Sequence, residues 1–236
     1  VPARVSPLAG AKAWRVHAAR NDWRRSGRAS PTIFGQQAIC AALDAGWKAV
    51  QEGGARRLVL EGEAGIGKST LLGRLRATVT ATGGTWIEAG CLPELQRSPL
   101  HPIREALREL LCPALPIRRD HGTVLRGAIA ALAGDDPDER RLLETFLDVL
   151  PNGAAGAIPL EGGSTRRLIE WFLMAMAGRA AVAPLAVVFE DLHWADQATV
   201  ELLADAGDRL AATSRVMLIV SGRETGTCPA WQGPAA

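Results

Sequence analysis

The sequence predicts an α/β fold, a mainly parallel sheet flanked by helices in three layers. Three observations carry that prediction. The runs Leu185-Ala-Val-Val-Phe189 and Val216-Met-Leu-Ile-Val220 are apolar throughout, as strands buried on both faces require. Stretches of helical apolar period alternate with them, the pattern of strands joined by right-handed crossovers. A further apolar run, residues 57–60, leads directly into Gly62-Glu-Ala-Gly-Ile-Gly-Lys-Ser69, which fits the spacing G-x-x-x-x-G-K-[ST].

The bulk numbers agree with one sizeable core. Of 236 residues, 47% are hydrophobic and 22% charged, which is globular composition. With no Tyr and only four Phe, apolar burial falls mainly to Leu, Ala, Val and Ile. A net charge of +2 is too small to point to nucleic acid or a membrane surface.

Residues 1–31 carry seven Lys or Arg against the single acid Asp22, with Pro2, Pro7 and Pro31 interspersed. They read as a basic, weakly ordered extension, with a nucleic-acid arm or a transit-like leader as alternatives and a short helix around residues 10–20. The chain opens on Val1 rather than Met, as a fragment or a processed product does. A nucleotide-binding domain is expected over 32–226 and a tail over 227–236.

Within the domain, residues 36–51 form a helix through Ile39, Leu43, Trp47 and Val50, ended by Gly53-Gly54. Residues 58–61 form the first core strand. The helix after the phosphate loop presents Leu71, Leu72, Leu75 and Val79 on one face and closes at Gly83-Gly84. A short strand follows at 85–88. Helices are expected over 102–111, 123–133, 137–150 and 164–178, separated by Pro- and Gly-rich joints. A helix over 196–211 lies between the last two strands, with Asp196 as its N-cap.

The chemistry concentrates at three places. The loop Gly62, Glu63, Ala64, Gly65, Ile66, Gly67, Lys68, Ser69 and Thr70 suits phosphate, because glycines let successive N–H groups turn inward and the next helix adds its positive end. Lys68 reaches β- and γ-phosphates and the Ser69 hydroxyl ligates Mg²⁺. Glu190 and Asp191 stand just past a buried strand, where open parallel sheets bind ligands. One acid holds Mg²⁺, partly through water, and the other orients or deprotonates an attacking water. By position Glu190 falls on the metal side and Asp191 on the base side; the reverse assignment and a turn-forming acid pair stay open. Arg223 follows the last strand. It faces the γ-phosphate if that strand lies between the loop strand and the acidic strand, and is otherwise a surface or salt-bridged arginine. His193 reads as a hydrogen-bonded loop residue, and Trp194 as a packing residue.

Cys40, Cys91, Cys112 and Cys228 are scattered, with no C-x-x-C pair and no His at ligand spacing. They fit a reducing cytoplasm as small apolar fillers. No run approaches the length of a membrane span, so a cytoplasmic protein without a membrane partner is expected.

The run VVFEDLHWADQATVELL, Val187 to Leu203, together with LEGEAGIGKSTLL, resembles the AAA-like domain of signal-transduction ATPases with numerous domains. The branch is that of large ATP-binding regulators of the LuxR type and of cyclase-fused ATPases. Residues 87–91, SPLHPIREAL from Ser98 to Leu107 and VMLIVSGRE from Val216 to Glu224 are similar too. The resemblance implies ATP and Mg²⁺ as ligands, Walker A at Gly62 to Ser69, Walker B at Val187 to Asp191 and a sensor arginine at Arg223. It also implies a slow ATPase acting as a switch, with self-association on ATP binding and with effector domains as partners. Departures are Gly35-Gln36-Gln37, where the family has G-R-E, and an end to the chain where a further strand, a helical lid and effector domains are expected. The expected unit therefore lacks the lid. Alternative functions are a truncated ATP-binding module without turnover and a phosphate-loop kinase acting on a small molecule. Direct nucleic-acid binding ranks below all of these.

Overall fold

The computed structural model describes residues 4–7, 13–17, 37–96, 98–112, 121–147, 162–210 and 214–223. Its strands are β1 (Arg4–Pro7), β2 (Ala13–His17), β3 (Arg56–Glu61), β4 (Thr85–Gly90), β5 (Leu185–Glu190) and β6 (Val216–Gly222). Its helices are α1 (Gln37–Gln51), α2 (Lys68–Ala81), α3 (His101–Leu111), α4 (His121–Ala133), α5 (Pro137–Phe146), α6 (Gly162–Val182) and α7 (Gln197–Arg209). Among the described residues the strands make one six-stranded sheet in the order β1-β2-β3-β6-β5-β4. All neighbours are parallel except β1, which runs antiparallel to β2.

The period-2 geometry of a strand sends alternate side chains to opposite faces, and both faces here are covered. Leu58, Leu60, Ala186, Val188, Met217 and Ile219 pack with α1 and α2. Val59, Val187, Phe189, Leu218 and Val220 pack on the other side with α3 to α7. The continuous apolar runs of β5 and β6 are thereby explained, and the three-layer α/β architecture follows. Edge position changes the pattern. In β4, Ile87 and Ala89 are buried while Glu88 and Gly90 are exposed.

Helix α1 docks on α2 through Trp47, whose indole N–H donates to Thr82 Oγ1 at 2.9 Å. A Cβ at Gly84 would lie 2.5 Å from the Trp47 ring, so glycine is what permits this approach.

Three expectations change. The helix around residues 10–20 gives way to β2, because Trp14-Arg-Val-His17 alternates apolar and polar residues at a strand's period. The basic stretch thus contributes two strands to the sheet, although it reads as an extension by charge. Helix α6 runs on past Gly178 to Val182: one interior glycine costs about 1 kcal/mol, and the alanines beyond it sustain the helix. Helix α5 ends at Phe146 with Leu147 as its cap, and residues 148–150 of the longer expected helix lie outside the described residues. The expected tail, 227–236, also lies outside them.

Asp196 caps α7 as expected and also reaches across the molecule. Its Oδ1 accepts the Thr199 N–H at 3.0 Å, and its Oδ2 accepts the Thr199 hydroxyl at 2.5 Å and the Leu100 N–H at 3.1 Å. Leu100 has φ 59, a left-handed backbone that leucine adopts only when held. Asp196→Ala is therefore expected to lower stability by about 1–2 kcal/mol, and Asp196→Asn by less, in urea unfolding. Equal stability of the alanine variant and the parent would show that the carboxylate does no such tethering.

Candidate functional site

The carboxyl ends of β3, β6 and β5 lie side by side, and the residues that leave them build the site. From β3 the chain enters the loop, whose first N–H, at Gly62, donates to Gly222 O of β6 at 3.2 Å. Gly65 and Gly67 have φ 78 and 101, values that side chains with a Cβ rarely adopt. Gly67 is also the N-cap of α2, and its carbonyl accepts the Leu71 N–H at 3.0 Å. The loop thus delivers the positive end of α2 to the rim of the sheet.

Lys68 is buried and folds back over the loop. Its Nζ donates to Gly62 O at 2.8 Å and to Glu63 O at 3.0 Å. Burial lowers its pKa, nearby Asp191 and Glu190 oppose that, and Arg223 adds to it. The next residue ties the loop to the acidic strand: Ser69 Oγ donates to Glu190 Oε2 at 3.1 Å. Burial pushes the Glu190 carboxyl up, and Glu88 and Asp191 push it the same way, against the bond from Ser69. A carboxylate held in that environment gains from a cation.

The fit to Mg²⁺ is chemical. Ser69 and Glu190 supply hard oxygen donors within reach of one ion. Mg²⁺ keeps several waters and takes one or two carboxylates plus phosphates, so no protein cage is needed. Among the described residues no group of three His, Cys, Asp or Glu side chains forms such a cage.

Asp191 also has a left-handed backbone, φ 55 and ψ 44, which Asp tolerates better than most residues. Its N–H donates to the buried Ser221 Oγ at 3.4 Å, and its carbonyl accepts the Trp194 N–H at 2.8 Å. The carboxylate itself is half exposed. Arg223 follows β6, which does lie between β3 and β5, and its charge is felt by Lys68 and His193.

Two residues escape a reading by sequence. Glu88, on the outward phase of β4, stands next to Glu190 and accepts from Trp86 Nε1 at 2.8 Å and Arg76 Nη1 at 3.4 Å. Its one signal is alternation toward the carboxyl end of an edge strand. His193 departs from the expected hydrogen-bonded loop residue, since neither ring nitrogen has a partner among the described residues.

A family model described as AAA ATPase domain matches residues 32–220. The chain belongs to the AAA ATPase domain family. This AAA ATPase domain is 27% identical over 181 residues to an uncharacterized protein of Rhizobium meliloti (strain 1021), covering 75% of this chain and 17% of that protein. The chain therefore spans about a sixth of the length of the curated relative it matches. Among solved structures, it is similar to a chain of Drosophila ORC bound to DNA, with 15% identity, 83% of each chain covered and a TM-score of 0.34. A chain of Drosophila ORC bound to AT-rich DNA and Cdc6 is similar at 16% identity and a TM-score of 0.35, with 83% of this chain and 50% of that one covered. No helix among the described residues of the AAA ATPase domain is long and apolar enough to cross a membrane.

Proposed function

We propose that the domain binds ATP with Mg²⁺, hydrolyses it slowly and serves as the nucleotide switch of a cytoplasmic signal-transduction or transcription regulator. The single observation that carries this reading is the 3.1 Å contact between Ser69 Oγ and Glu190 Oε2, which joins the phosphate loop to the acidic strand.

In this reading residues 62–70 wrap the phosphates with backbone N–H groups. Lys68 exchanges the carbonyls of Gly62 and Glu63 for phosphate oxygens, where a full counter-charge strengthens its hydrogen bonds. Ser69 and Glu190, with Asp191 through water, would hold Mg²⁺, which would supply positive charge to offset that of the phosphates. Asp191 orients the attacking water and takes its proton. Arg223 faces the γ-phosphate and steadies the charge in transfer. Effector and lid domains, and self-association on ATP binding, belong to the same proposal.

Thermal melting tests it. Mg-ATP at about 100 times Kd is expected to add roughly 2.7 kcal/mol of stability. Lys68→Ala is expected to weaken Mg-ATP binding by about 10- to 100-fold, the equivalent of one charged hydrogen-bond set, and to remove most of that gain. A parent that does not respond to Mg-ATP, or a variant that responds equally, would end the reading.

A further inference from the structure

The turn after β5 buries a side chain for which the proposed chemistry has no task. The His193 side chain is 10% exposed, and among the described residues neither Nδ1 nor Nε2 has a hydrogen-bond partner. Native proteins seldom leave buried polar atoms unpaired without a use for them. A histidine kept only for packing would be expected to bond a backbone group. Here the Trp194 ring stacks obliquely, with centroids 5.0 Å apart at 43°, and takes up no nitrogen.

What surrounds the ring is the site itself. Nδ1 faces Asp191 Oδ1 at 3.9 Å, too far for a hydrogen bond. The backbone of His193 lies beside Gly222 of β6: a Cβ there would sit 3.9 Å from the main-chain nitrogen of His193. The charges of Lys68 and Arg223 also reach the ring. Asp191, for its part, is held through its backbone, by Ser221 Oγ and by the Trp194 N–H. Among the described residues no hydrogen bond reaches its carboxylate. A donor without an acceptor thus faces a carboxylate without a donor, across a gap that must close by about 1 Å.

We infer that His193 is a positioning residue of the nucleotide site, its Nδ1–H donating to Asp191 when the site closes on nucleotide and aiming that carboxylate at the attacking water. The inference rests on the ATP-hydrolysis reading above. It assigns the neutral imidazole with the proton on Nδ1. No proton leaves the ring, because Asp191 is the group that receives the proton of water.

Two variants of the full 236-residue chain test it. His193→Phe keeps a ring of similar size without nitrogen, and His193→Asn restores an N–H at the position of Nδ1. The phenylalanine variant is expected to bind Mg-ATP as the parent does, melt at no lower temperature, and release phosphate about tenfold or more slowly at saturating ATP. The asparagine variant is expected to recover part of that loss, which a purely structural role would not allow. In ¹⁵N-labelled parent, Mg-ADP with aluminium fluoride is expected to move the His193 Nδ1 resonance to that of a hydrogen-bonded N–H. Parent-like turnover in the phenylalanine variant, or an Nδ1 resonance unmoved at ligand saturation, overturns the assignment while leaving ATP hydrolysis intact. A parent that neither binds nor hydrolyses Mg-ATP overturns both readings together.

Discussion

Asp191→Asn is expected to retain Mg-ATP binding and to cut phosphate release by about 10²- to 10⁴-fold, the range that a positioned general base contributes. The substitution is a clean one for physical reasons. Asparagine tolerates the left-handed backbone that Asp191 adopts at φ 55, so the turn need not rearrange. The bonds from the backbone N–H to Ser221 Oγ and from Trp194 to the carbonyl do not involve the side chain. What is lost is one negative charge and its ability to take a proton. Single-turnover phosphate release, set beside a binding isotherm, separates the two effects. Unchanged turnover would remove Asp191 from the chemistry, and a collapse of binding instead would make holding the metal, not proton transfer, its main task.

Phe189→Ala is expected to cost about 3–5 kcal/mol of folding stability. Its ring is fully buried, and it meets Phe172 of α6 edge to face, with centroids 6.2 Å apart and planes at 62°. Such a pair adds about 0.5–1.5 kcal/mol beyond area burial. Domains are stable by only about 5–15 kcal/mol, so much of the margin would go. Phe189→Leu, which leaves a smaller void, is expected to lose less. Urea unfolding of both variants measures this, and an alanine cost near zero would mean that Phe189 is not packed in the core. Because Glu190 and Asp191 follow directly, weaker Mg-ATP binding is expected to accompany the loss.

Much of the fold was legible because central parallel strands announce themselves: Leu185 to Phe189 and Val216 to Val220 have no polar phase to misread. The loop was legible because its glycines, Lys68 and Ser69 occur at one strict spacing between a strand and a helix. Asp196 was legible as a cap for α7, but its bond to Leu100 was not, since it spans 96 positions of sequence. Strand β2 was hidden by its own composition, where Arg15 and His17 made a strand look like part of a basic extension. Glu88 was hidden because an edge strand shows its functional face in the same phase as its solvent face. His193 was misread for a different reason. A lone histidine in a turn ordinarily finds a backbone partner, and only the geometry reveals that this one has none among the described residues.

The shared carboxylate of Asp196 has an implication for engineering. It latches the entry of α3 to the entry of α7, so the segment around Leu100 and the turn around Trp194 are matched halves of one fastening. A chimaera that transplants residues 187–203 into a distant homologue without 98–107 would import half a clasp, leaving the left-handed leucine with nothing to fasten it.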